Sequence, residues 1–140
     1  MSKVAVVFWS ATGNTEAMAD AVKAGAQQAG AEVSVFSASD FSADSAADFD
    51  AIAFGCPAMG DEVLEEDEFQ PMFDAVLPAI GGKKIALFGS YGWGDGQWMR
   101  DWEETCKNAG VALACESVMA NEAPDSDAVA ACNALGAALA

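Results

Sequence analysis

Val4-Ala5-Val6-Val7-Phe8-Trp9-Ser10-Ala11-Thr12-Gly13-Asn14-Thr15-Glu16 decides the architecture, because an apolar run gives way at once to a hydroxyl-rich turn and then to a helix start. Val4–Trp9 contains no polar residue, which suits a strand covered on both faces, as strands of parallel sheets are. The run is too short for a signal-peptide core or a membrane span and no cleavage pattern follows it, so a soluble, cytoplasmic protein is expected. Downstream, Asn14–Ala29 places Met18, Val22 and several alanines on one helical face and stops at Gly30, a residue suited to a left-handed helix end.

The same alternation continues along the chain. Ala51–Gly55 and Ile85–Gly89 are short apolar runs bounded by turn residues and read as buried strands, while Glu32–Ser37 and the Ala-rich Val111–Val118 read as strands nearer the sheet edges. Phe69, Met72, Phe73, Val76, Leu77 and Ile80 follow helical spacing, with Pro71 in the first turn and Pro78 kinking the last. Trp98, Trp102 and Cys106 mark a helix ending before Gly110, and Val129, Cys132, Leu135 and Leu139 mark another after Pro124. Ala38–Phe49 reads as a short crossing helix. Parallel neighbours need crossovers, and these cover both faces, so five strands and five helices predict a doubly wound α/β three-layer sandwich spanning residues 1–140 as one domain. Ligands of such sheets bind beyond the carboxyl ends of the strands, which directs attention to the loops after Trp9, Gly55 and Gly89.

Composition narrows the chemistry. Of 140 residues, 22 are acidic and 6 basic, a net charge of −16 that disfavours nucleic acid and anionic membranes and favours basic partners. No Lys or Arg lies between Lys23 and Lys83, whereas Asp61, Glu62, Glu65, Glu66, Asp67 and Glu68 crowd one short stretch. That run reads either as a solvated face or as a docking surface. Cys56, Cys106, Cys115 and Cys132 form no C-x-x-C pair and the chain has no histidine, so the common zinc and iron–sulfur patterns are missing and the thiols read as reduced packing residues.

The loop Ser10–Thr15 offers three hydroxyls, the Asn14 amide, a glycine and the free N–H groups of a helix start, which together suit a phosphate. It has neither the lysine of a P-loop nor a three-glycine dinucleotide fingerprint. Trp93, between Gly92 and Gly94, is costly to expose unless it stacks on something flat, and Met59 offers a soft sulfur to an aromatic ring. Gly60, second in the turn Met59-Gly60-Asp61-Glu62, is placed for the positive φ of a type II′ turn.

Trp9-Ser10-Ala11-Thr12-Gly13-Asn14-Thr15-Glu16 resembles the phosphate loop of flavodoxins. Gly55-Cys56-Pro57-Ala58-Met59-Gly60-Asp61-Glu62 and Phe88-Gly89-Ser90-Tyr91-Gly92-Trp93-Gly94-Asp95-Gly96 resemble the two ring-holding loops of short-chain flavodoxins from anaerobic bacteria. The resemblance spans the chain and implies strand order 2-1-3-4-5 with FMN bound non-covalently at the reversal of strand order. It implies phosphate contacts from Ser10, Thr12, Asn14 and Thr15, with Ala11 and Gly13 of the same loop also against the cofactor. The isoalloxazine would lie between Met59 and Trp93, lined by Pro57, Ala58, Gly60, Asp61, Ser90, Tyr91 and Gly94, with Glu62 and the Gly92 backbone on the pyrimidine edge. Where some members have a hydroxyl residue this chain has Pro57, and Asn121 falls near the ribityl side. The family also implies that the Gly60–Asp61 peptide turns its carbonyl toward the flavin N5 on reduction.

The function so implied is low-potential one-electron transfer through the semiquinone/hydroquinone couple, by a monomer, between redox enzymes with basic docking surfaces, such as those served by ferredoxins. An FMN-dependent quinone or nitro-compound reductase is the main competitor, but it needs a substrate pocket over a flavin whose faces Met59 and Trp93 would cover. A signalling receiver of the same fold needs an aspartate at the end of the third strand, and Ala51–Cys56 supplies none there.

Overall fold

The computed structural model of the protein describes residues 2–11, 13–60, 62–92 and 94–140. Strands β1 (Lys3–Phe8), β2 (Glu32–Ser37), β3 (Ala51–Gly55), β4 (Lys84–Tyr91) and β5 (Val118–Asn121) form an all-parallel sheet of order β2-β1-β3-β4-β5. Helices α1 (Asn14–Gln28), α2 (Ala43–Ala46), α3 (Phe69–Val76), α4 (Gln97–Asn108) and α5 (Ser126–Leu139) complete the doubly wound α/β sandwich. The crossing segment after β2 is a 3₁₀ turn, Ala38–Asp40, followed by the single helical turn of α2. Pro78 sits in a second 3₁₀ turn, Leu77–Ala79, where its missing N–H is harmless.

Alternating residues along the central strands divide the core between the two faces of the sheet. Ala5, Val7, Ile52, Phe54, Ile85 and Leu87 face a cluster with Phe69 and Phe73 of α3 and Trp98 and Trp102 of α4. Val4, Val6, Ala51, Ala53 and Ala86 face a cluster with Met18, Val22 and Ala26 of α1 and Cys132, Leu135 and Leu139 of α5. The small residues on this second face let α1 and α5 lie close, and their backbones touch: a Cβ at Gly25 would strike the Asn133 carbonyl, and one at Gly136 would strike that of Val22.

The last strand differs from the expectation. Val111–Val118 reads as a strand, but the ladder runs from Val118 to Asn121, opposite Phe88 to Tyr91 of β4. Upstream, Leu113 makes one isolated parallel bridge to Ile85. Between that bridge and the Phe88–Val118 pair the edge chain uses two more residues than β4 does, so Cys115–Ser117 loop out of the sheet. Apolar composition marks the segment as packed without revealing this excess, and Ser117, which donates to Glu103 at 2.7 Å, fastens the bulge to α4.

Among the described residues no helix is long and apolar enough to cross a membrane, and no group of three or more His, Cys, Asp or Glu side chains is placed to hold a metal ion.

Candidate functional site

Beyond the carboxyl ends of the strands lies a cleft of about 480 Å³, lined by Ser10, Ala11, Asn14 and Thr15 from the β1–α1 connection, Pro57, Ala58 and Met59 after β3, Ser90, Tyr91 and Gly92 at the end of β4, and Glu122 and Ala123 after β5. That size is within the usual range for small-molecule sites. Three loops expected to meet here do so.

The β1–α1 connection gathers hydroxyls and the N–H groups of a helix start. Gly13 precedes α1 with φ +92°, a conformation that favours glycine, and the space where a Cβ would sit is open. Ser10 Oγ accepts from the Gly13 N–H at 3.1 Å and from the Glu16 N–H at 3.3 Å, which draws the loop over the positive end of the helix. Thr15 is buried, and its Oγ1 lies 3.0 Å from the buried Ser90 Oγ. The expected contact from Thr12 lies outside the described residues.

On the opposite wall, the Ala58 N–H donates to the Ser90 carbonyl at 3.0 Å, which fixes the exit of β3 against β4. Met59 and Val63 exchange two backbone hydrogen bonds, at 2.8 and 3.0 Å, so the turn closes one residue later than a turn ending at Glu62. Gly60 has the expected positive φ, +46°. Asp61, which with Gly60 forms the peptide expected to turn, and Trp93 lie outside the described residues.

Glu62 also adopts φ +56°, and its Oε1 accepts the Gln97 N–H at 3.2 Å. Its carboxylate thus caps α4 and packs against the Gly94 backbone. It is absent from the cleft lining. Asn121 ends β5 with its Nδ2 donating to the Tyr91 carbonyl at 3.4 Å, and the lining here comes from Glu122 and Ala123. These two were missed because the last strand ends three residues later than its apolar run suggests.

The acidic run is not one uniform surface. Glu65 is only 6% exposed, and its carboxylate accepts the N–H groups of Asp67, Glu68 and Phe69 at 2.9, 2.7 and 2.8 Å. Burial pushes its pKa up, but those three donors outweigh burial and hold it below the ordinary value. Its own N–H donates to Cys56 Sγ at 3.3 Å, and burial pushes that thiol up to about 12. Glu68 accepts the Trp9 indole N–H at 3.1 Å. The reading of the whole run as a solvated face or docking surface is therefore corrected at Glu65, because the start of α3 needs an acceptor. Glu66 and Asp67 are exposed.

The flavodoxin family model matches residues 6–135. Over 137 residues the chain is 44% identical to the flavodoxin of Megasphaera elsdenii, covering 98% of each, and over 120 residues it is 44% identical to that of Clostridium beijerinckii, covering 86% of this chain and 87% of that one. This chain belongs to the flavodoxin family. The solution structure of two-electron reduced Megasphaera elsdenii flavodoxin superposes with a TM-score of 0.90 at 43% identity, covering 97% of each chain. As a flavodoxin, the protein is an electron carrier that serves redox partners and not an enzyme, and its cofactor is FMN. The cleft fits that group: hydroxyl, amide and helix-end N–H donors gather at the β1–α1 loop, and Ala58, Met59 and Tyr91 provide apolar surface.

Proposed function

We propose that the three-loop cleft is the FMN site and that the bound flavin works at low potential. The observation that carries this reading is the uncharged donor cradle at the start of α1, facing apolar surface from β3 and β4. FMN supplies one-electron redox chemistry when bound. In this reading Ser10, Thr12, Asn14 and Thr15 hold the phosphate, with Ala11 and Gly13 shaping the loop around it. Pro57, Ala58, Met59, Gly60 and Asp61 form one wall against the ring, with Glu62 at its pyrimidine edge, and Tyr91, Gly92, Trp93 and Gly94 form the other, while Ser90 lines the cleft beside Thr15. Residues 1–140 act as one domain, monomeric and cytoplasmic.

Low potential follows from the charge around the cleft. Among the described residues Glu122 is the only charged one lining it, and no Lys or Arg does. Arg100, the sole arginine, spends its charge on Asp95 at 2.9 Å. With a net charge of −16, these surroundings oppose added negative charge on a bound flavin. Titrating the apoprotein with FMN while following the flavin absorption tests the reading. A 1:1 complex that is redox-active with dithionite, with no steady-state NAD(P)H turnover, is expected, and turnover by the isolated protein would favour a reductase.

Partners with basic docking surfaces fit the exposed Glu66 and Asp67 beside the half-exposed Val63. Glu66→Gln with Asp67→Asn is expected to slow reduction by a basic redox partner several-fold at low salt and to converge on the parent at high salt. Screening over about 10 Å at 0.1 M removes the steering that these charges supply. Stopped-flow rates across a salt series, with dithionite as the partner-free control, decide it. Equal rates at every ionic strength would make this pair a solvated surface only.

A further inference from the structure

Thr15 and Ser90 come from different elements, α1 and β4, yet their hydroxyls meet 3.0 Å apart while the residues are only 1% and 5% exposed. Both line the cleft. Each hydroxyl carries one proton and accepting lone pairs, so within the pair either oxygen can be the donor. A monoester phosphate above its second ionisation, near pH 6, carries no proton on its terminal oxygens and only accepts. If Thr15 gives its single proton to that group, Thr15 Oγ1 can face Ser90 only as an acceptor, and the direction of the pair is fixed.

We propose that Ser90 is a positioning residue for phosphate binding: it donates to Thr15 Oγ1 and so commits the Thr15 proton to the phosphate. The proposal rests on the phosphate-loop reading given above. Ser90 suits the role because its backbone is held in the sheet opposite Ala120 and its carbonyl accepts from Ala58, so its hydroxyl is presented from a fixed frame. A donor chain of this kind also strengthens its last member, since a hydroxyl that accepts a hydrogen bond becomes a better donor. Ser90 then acts on the phosphate through Thr15 without touching it.

Affinities of the apoprotein for FMN and for riboflavin, which lacks the phosphate, separate the possibilities. Ser90→Ala is expected to weaken FMN about tenfold, the effect of one hydrogen bond, and to leave riboflavin unchanged. Thr15→Val is expected to weaken FMN about thirtyfold, through loss of a charge-assisted bond, again without effect on riboflavin. The double variant should bind FMN no more weakly than Thr15→Val alone, because Ser90 then has nothing to orient. Ser90→Cys, which restores a weak donor, should fall between Ser90→Ala and the parent. Equal losses of FMN and riboflavin in Ser90→Ala would overturn the proposal in favour of a ring or ribityl contact or a folding defect. An undiminished tenfold loss on the Thr15→Val background would overturn it in favour of direct phosphate contact by Ser90. A Thr15→Val variant whose preference for FMN over riboflavin matches the parent's would instead remove the phosphate-loop reading, and the proposal with it.

Discussion

Replacing Gly136 by alanine is expected to destabilise the protein by about 3 kcal/mol, although the same exchange on an exposed helix stabilises by about 1 kcal/mol. The sign reverses because a Cβ at this position meets backbone and not the movable end of a side chain. It would strike the Val22 carbonyl and lie 2.8 Å from the Ala26 nitrogen, so α5 must lift from α1 along their whole contact. Overpacking of this kind commonly costs about 1–3 kcal/mol, and the rigidity of two apposed helices places it at the upper end. In the proposed FMN site the N-terminus of α1 holds the phosphate, so FMN affinity should fall as well. Urea unfolding of the apoprotein measures the first effect and an FMN titration the second. A midpoint at or above the parent's would mean that the two helices separate at little cost.

Glu65→Gln should cost about 2–3 kcal/mol at neutral pH, since one buried carboxylate satisfies three N–H groups at the start of α3 and an amide replaces an acceptor oxygen with a donor. The pH dependence follows from the direction of the shift. The folded-state pKa of Glu65 lies below the ordinary 4.5, so its stabilisation is complete above the unfolded value and fades as pH falls through the folded one. The gap between parent and variant should therefore be constant from about pH 6 upward and close in acid, below the ordinary carboxylate range. Unfolding free energies collected from pH 3 to 8 test this. A gap that persists unchanged at the acid end would show that shape, and not charge, gives Glu65 its value.

Sequence legibility followed chemistry more closely than geometry. Ala51–Gly55 reads as a buried strand from its unbroken apolar run, and it is β3, with Ala51 and Ala53 on one face of the core and Ile52 and Phe54 on the other. The hydroxyls of Ser10 and Thr15 and the glycine between them suit an anion, and the two hydroxyl residues do line one cleft at the start of α1. Hidden from the sequence were arrangements that depend on how distant segments meet. Glu62 and Glu65 look alike in an acidic run, but one caps α4 and the other caps α3, because unpaired N–H groups lie within reach of their carboxylates. The start of β5 depends on a register against β4 that no local pattern encodes. Glu122 reached the cleft lining through that same shift, with φ +59° at the turn beyond the strand.

The burial of the thiols has a consequence for where electrons can reside. Burial pushes the Cys56 and Cys132 thiols up to about 12 and the Cys106 thiol up to about 11. At pH 7 a thiol of pKa 11 is ionised in about one molecule in ten thousand, and the thiolate is the form that attacks disulfides and oxidants. Sulfur in these three positions is therefore silent as a redox element. A carrier built this way can be cycled in a thiol-rich solution without mixed disulfides forming in its core, and a thiol-directed spectroscopic label should enter at Cys115, the one cysteine that is not fully buried.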